Sequence, residues 1–273
     1  MNPGRLWIAA GLAALAVAFG CTSALKEPPP VIEIGAGAQP SDLQSADPDA
    51  LISRAELEFA RRPDAAAVRR SQALYLEAAR VDVAPVEAFL GAARATSWLV
   101  EHEENGERRK SLAVEGVQVG QWCVRLYPSV AECTFRLALA VGQQARERPS
   151  TAVDGLDVMV ELLDEVIAAA PELDFAGGHR VLALVLLRAP AWPTGPGDPE
   201  TGLIHALAAV GSFPDYPPNQ LALAEALLEN GRREQSRQAY QRAAALAETS
   251  RDAGEPEAAE WLAEAEEALA EIG

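Results

Sequence analysis

From about Asp47 onward, apolar positions recur at helical spacing, and short polar or Pro/Gly breakers separate one stretch from the next. Asp47-Pro48-Asp49 predicts the start of a first helix, with Leu51, Ala55, Leu57 and Ala60 on its buried side. Arg62-Pro63-Asp64 breaks it, and Ala65 to Arg80 is its expected partner. Pro85 opens a third helix that runs to about Glu103, where Asn105-Gly106 is expected to end it, because Gly fits the left-handed C-cap conformation. Helices over Glu107–Leu126, Val130–Arg146 and Thr151–Ala170 follow, punctuated by Pro128, Pro149-Ser150 and Pro171. Short breakers between helices of several turns imply antiparallel pairs. Runs of Val, Ile and Thr with period two are scarce. The chain therefore reads as all-α.

A repeat register is clearest over Asn219–Leu246. A large residue and a small one, Leu223 and Ala224, are followed by Leu227 on the same face. Gly231 falls at a turn, and Ser236, Tyr240 and Ala243 form a small-aromatic-small stripe. This resembles the TPR pattern, in which small residues let paired helices cross closely and large ones fill the groove to the next pair. A weaker copy has Gly178 to Arg188 as first helix, Gly197 at the turn, a Gly202, Ala206 and Ala209 stripe, and Pro214 closing it. An insertion from Ala189 to Pro196 separates its two helices. The last helix, Glu255 to Ile272, has Trp261, Leu262 and Leu269 on one face and a Glu-rich outer face, as a solenoid cap needs. The expected domain, residues 48–273, is an all-α, TPR-like α-α superhelix of four to five antiparallel helix pairs with a C-terminal capping helix.

Ahead of it, Arg5 and the apolar run Leu6–Phe19 have the form of an export signal, too short to span a bilayer. The run ends in Val17-Ala18-Phe19-Gly20-Cys21, which resembles the bacterial lipobox. That resemblance implies a signal peptide over 1–20, cleavage before Cys21 and lipid on its sulfur. Residues 21–47, with Pro28-Pro29-Pro30 and no periodicity, are expected to be a flexible tether. The expected location is the periplasm, anchored in the outer membrane rather than the inner because Thr22, not Asp, follows the cysteine.

Composition narrows the function. Hydrophobic residues make up 49%, enough for a sizeable core, while the net charge of -17 repels phosphate backbones and argues against nucleic-acid binding. Membrane contact should come from the lipid on Cys21. His102, His179 and His205 have no second His or Cys at metal-ligand spacing, so no metal or other cofactor is expected; His102 reads as solvated and His205 as structural. No nucleophile elbow or phosphate-cradling Gly loop is present, and the chain does not read as an enzyme. Gly177 and Gly178 could offer N–H groups to an anion with help from Arg180, or simply form a tight turn with Arg180 paired to a carboxylate. Cys123 and Cys133, on either side of the Leu126–Pro128 turn, are either a disulfide or two buried thiols. Trp192, between Pro190 and Pro193, either lines a cavity or interface or anchors its loop in the core; Phe175, Phe213 and Tyr216 present the same choice.

The order of Asp174-Phe175-Ala176-Gly177-Gly178-His179-Arg180-Val181-Leu182, Ala189-Pro190-Ala191-Trp192-Pro193, Gly197-Asp198, Pro214-Asp215-Tyr216-Pro217-Pro218-Asn219 and Leu223-Ala224-Glu225-Ala226-Leu227-Leu228 resembles the TRAP transporter T-component family, over roughly 85–250. These are periplasmic TPR-like lipoproteins associated with tripartite transporters. The resemblance implies docking of a periplasmic substrate-binding protein, an apolar ligand in a through-cavity lined by Leu, Val and aromatics, and assembly as a trimer. It also makes Tyr216 and Asn219 candidates for the binding surface. The alternative is a general TPR adaptor of the cell envelope, such as an outer-membrane assembly scaffold.

Overall fold

The computed structural model describes residues 25–35 and 47–273. The expected signal peptide, Cys21 and the tether residues 22–24 and 36–46 lie outside the described residues. Among the described residues there is no strand, and the helices are α1 (Pro48–Phe59), α2 (Ala65–Ala78), α3 (Val86–His102), α4 (Gly106–Leu126), α5 (Ala131–Glu147), α6 (Ala152–Ala169), α7 (Leu173–Arg188), α8 (Pro199–Ser212), α9 (Pro217–Glu229), α10 (Arg233–Asp252) and α11 (Ala258–Ile272).

Local chemistry sets the helix starts. Asp47 accepts from the Asp49 N–H at 3.1 Å ahead of Pro48, and Asp64 accepts from Ala66 and Ala67 at 2.9 and 3.2 Å. Asn105-Gly106 opens α4 and does not close α3: the Asn105 Oδ1 takes the Arg108 N–H at 3.0 Å, and Gly106 is not left-handed. In α1 the buried stripe is Leu51, Ala55 and Phe59. Leu57, expected inside, is 72% exposed, because six residues on from Leu51 it sits about 120° round the helix; Ala60, at the C-cap, is exposed too. The cap helix starts at Ala258, three residues later than expected, after Gly254 turns the chain with φ +87°.

Consecutive helices pack into five pairs, with α11 against α10, and the first helices of successive pairs touch as α1 on α3, α3 on α5 and α7 on α9. The close crossings are where the small residues predicted them. Ser236 Oγ donates to the Ala224 carbonyl at 2.7 Å, both residues fully buried, and Gly231 turns the chain with φ +71°. The first pair repeats the device, with Ser71 Oγ donating to the Ala55 carbonyl at 2.8 Å. Gly120 lets α4 lie on Leu137 of α5, whose Cα would stand 2.9 Å from a Cβ at that position. Cys123 and Cys133 are both buried, with their sulfurs 2.02 Å apart, a disulfide that closes the α4–α5 hairpin.

Two contacts curl the solenoid round on itself. Arg62, in the α1–α2 turn, pairs with Glu257 at 2.8 Å. His102, which reads as solvated in the sequence, stacks on Trp98 at 3.8 Å and meets Glu260 of α11 at 3.2 Å.

Residues 25–35, within the stretch expected to be a tether, lie along the second helices of the first pairs. Extended, Pro-rich backbone leaves its carbonyls unpaired, and here side chains of the helices take them. Gln121 donates to the Lys26 carbonyl at 2.8 Å, Trp122 to that of Pro29 at 2.7 Å and Arg80 to that of Ile34 at 2.7 Å. Arg125 pairs with Glu27 at 2.6 Å, and Ile34 is 1% exposed. Leu25 packs beside the core that includes Val117 and Phe135.

Candidate functional site

Between α5, α6 and α7 the array opens into a groove of about 560 Å³. Its floor is aliphatic: Leu139 of α5, Leu156 and Met159 of α6, and Val181, Leu184 and Val185 of α7. Gly142 makes room for this floor, since a Cβ there would stand 2.5 Å from Met159 Sδ. The rim is charged. Arg146 pairs with Glu101 at 2.8 Å, and Gln143 donates to the same carboxylate at 2.8 Å. Arg188 forks onto Glu225 at 2.7 and 2.6 Å, a contact that raises the guanidinium pKa. Such a surface removes apolar groups from water and holds polar ones at its edge. The through-cavity with aromatics implied by the family resemblance is here an open groove whose lining carries no aromatic side chain.

At the other end of the α7–α8 hairpin, Asp174, Phe175 and Ala176 all have left-handed backbone, with φ of 52°, 55° and 60°. For non-Gly residues this costs about 1–2 kcal/mol each. A buried polar knot holds the turn. Arg180 donates to the Asp174 and Phe175 carbonyls at 3.1 and 3.3 Å, to Asp174 Oδ2 at 2.6 Å and to Asn219 Oδ1 at 3.0 Å. Asn219 in turn donates to the carbonyls of Phe175, Ala209 and Phe213. The turn presents Phe175, 51% exposed, which stacks on Tyr216 at 4.5 Å; Tyr216 meets Trp261 edge-on at 5.6 Å.

The structure thus gathers Gly177, Gly178, Arg180, Tyr216 and Asn219 at one end of the α7–α8 hairpin. The anion reading of the glycines does not hold. Both are buried, a Cβ at Gly177 would meet Phe135 at 2.7 Å and one at Gly178 would meet Ile167 at 3.0 Å, so they serve close helix packing, and Asp174 takes the Arg180 charge. Trp192 is apart from this cluster, at the opposite end of the hairpin. It is 86% exposed and does not anchor its loop. The loop closes on itself instead: the Gly197 N–H donates to the Pro190 carbonyl at 2.9 Å, and a Cβ at Gly197 would stand 2.2 Å from the Ala189 carbonyl. Ala189 and Pro190 reach the groove wall, so Trp192 stands beside its mouth.

Sequence spacing also missed a histidine pair. His179 of α7 and His205 of α8 face each other with Nδ1 atoms 2.9 Å apart. The ring centroids are 5.2 Å apart, which puts the two nitrogens near the line joining the rings; one donates and the other accepts. Joined by this hydrogen bond, the two nitrogens do not converge on a common point outside the pair, and burial pushes both histidines' pKa down. Among the described residues no cluster of three metal-ligating side chains forms.

The sequence matches no family model and no curated protein, so the likeness to the T-component family rests on the residues quoted above. Solved structures do resemble the fold. TTC0263, a thermophilic TPR protein from Thermus thermophilus, matches at 18% identity and a TM-score of 0.58, over 79% of this chain and 99% of that one. MamA of MSR-1 matches at 18% identity over 74% of this chain and 95% of its own, with a TM-score of 0.46. At 18% identity the likeness to TTC0263 is one of fold: the chain is an all-helical array of paired helices with the TPR-like arrangement.

Proposed function

We propose that this protein is a lipid-anchored periplasmic scaffold that binds a protein partner through the groove of α5, α6 and α7, and that it performs no bond-making step. The aliphatic groove with its ion-paired rim carries this reading, because it offers desolvation to an inserted apolar group and orientation at the edge. The exposed Trp192 beside its mouth adds a large apolar contact. Within that reading, the resemblance to T-components makes the partner a substrate-binding protein of a tripartite transporter, and the groove is large enough for a small apolar ligand. Acylation of Cys21 would hold the scaffold at the membrane, since two or more acyl chains anchor stably where one does not.

The test is affinity purification from detergent-solubilised envelopes, with mass spectrometry of the mature N-terminus. The reading expects lipid on Cys21, a soluble periplasmic binding protein among the captured proteins, and weaker capture by Trp192→Ala. Equal recovery by both baits would remove Trp192 from the docking surface. Recovery of outer-membrane assembly proteins alone would favour the general adaptor instead.

A further inference from the structure

Resting on the lipoprotein reading above, we infer that the docked strap of residues 25–35 fixes the protein's orientation on the membrane, with the face around Lys26, Arg148 and Val153 lying on a phospholipid bilayer surface. Leu25 is packed against the domain, and from Lys26 to Ile34 the strap is held by Gln121, Trp122, Arg125 and Arg80. Only four Cα–Cα steps separate Leu25 from Cys21, a reach of at most about 14 Å. A tether running to Asp47 would let the domain tumble far from the bilayer. A strap that docks at Leu25 leaves no such freedom.

The surface where the strap begins suits a headgroup layer. Lys26, Arg148 and Ser150 line one hollow on this face, and all three are exposed. Val153, in the first turn of α6 just beyond, is 55% exposed. Lys26 and Arg148 beside an exposed valine offer partners for phosphate groups and the acyl boundary; Glu27 on the same hollow is paired with Arg125, and Asp154 follows Val153. The groove shares Ala152 and Leu156 with the same end of α6, so this orientation places its mouth close to the membrane.

The experiment uses the full lipidated chain in vesicles of phosphatidylethanolamine and phosphatidylglycerol containing a nitroxide-headgroup lipid. Val153→Cys and Gln241→Cys, the latter on exposed α10, each carry a fluorophore; the other cysteines are acylated or paired. The label at 153 should be quenched about twofold or more above that at 241, and the difference should vanish when Trp122→Phe and Arg125→Ala release the strap. Equal quenching at both positions, with the protein still floating with the vesicles, overturns the orientation and leaves the lipoprotein reading standing. Failure to float, with no lipid on Cys21, overturns both.

Discussion

Asn219 has no exposed surface, and its side-chain amide serves three carbonyls while its oxygen receives Arg180. Truncation would strand those groups around a turn already held in left-handed backbone. Asn219→Ala is therefore expected to lower unfolding free energy by about 2–4 kcal/mol, read by denaturant titration. A loss within the ordinary surface range would mean the knot does not hold the turn. Glu115 makes a different residue-scale case. Burial pushes its carboxyl from the ordinary 4.5 up to about 7, and Gln72 donates to it at 2.8 Å beneath Gly35 of the strap. Because the folded state binds the proton more tightly, stability is fully present below about pH 4.5 and falls as pH rises through 7. Glu115→Gln keeps an acceptor for Gln72 and removes that loss, on the order of 3 kcal/mol. Melting scans should show the variant several degrees more stable at pH 8 and little changed at pH 4.5; an equal shift at both would refute the titration. The histidine pair has the opposite sign. Its lowered pKa values make stability fall as pH drops through the ordinary range near 6.5.

At the scale of elements, legibility followed locality. The pair α9–α10 could be read residue by residue because its crossing signal, Ala224 with Ser236 and Gly231, falls within one short stretch of sequence. The first pair uses the same contact between Ala55 and Ser71, but the wider spacing hid it from a repeat pattern. The strap was illegible for another reason. Its docking uses backbone carbonyls and side chains on α2 and α4, and periodicity records neither. The α4–α5 hairpin carries the element-scale prediction. A disulfide enclosing so short a loop stabilises by about 2–3 kcal/mol. Replacing Cys123 and Cys133 with Ala should lower stability by that order, and the native oxidised chain should show neither thiol to a thiol reagent under denaturing conditions. Two reactive thiols would contradict the bridge.

For the whole molecule, what could not be read was everything made by curvature. Arg62 and His102 reach Glu257 and Glu260 only because the array curls until its last helix meets its first pairs. The groove likewise assembles α3, α5, α6 and α7, from Ser97 to Pro190, and no single segment announces it. Gly142 and Met159, which meet in its floor, lie seventeen residues apart on different helices and carry no signal in the sequence pattern. The Phe175, Tyr216 and Asn219 end was legible as a cluster of unusual residues, but their role in holding a strained turn was not. Filling the groove shows whether partners bind there. Leu184→Trp occupies the floor with a larger apolar group, and circular dichroism establishes that the helices persist. Capture of envelope partners, quantified beside wild type and the exposed-face control Leu207→Trp, should fall at least about tenfold for Leu184→Trp and stay unchanged for the control. Undiminished capture by a folded Leu184→Trp variant would contradict the account.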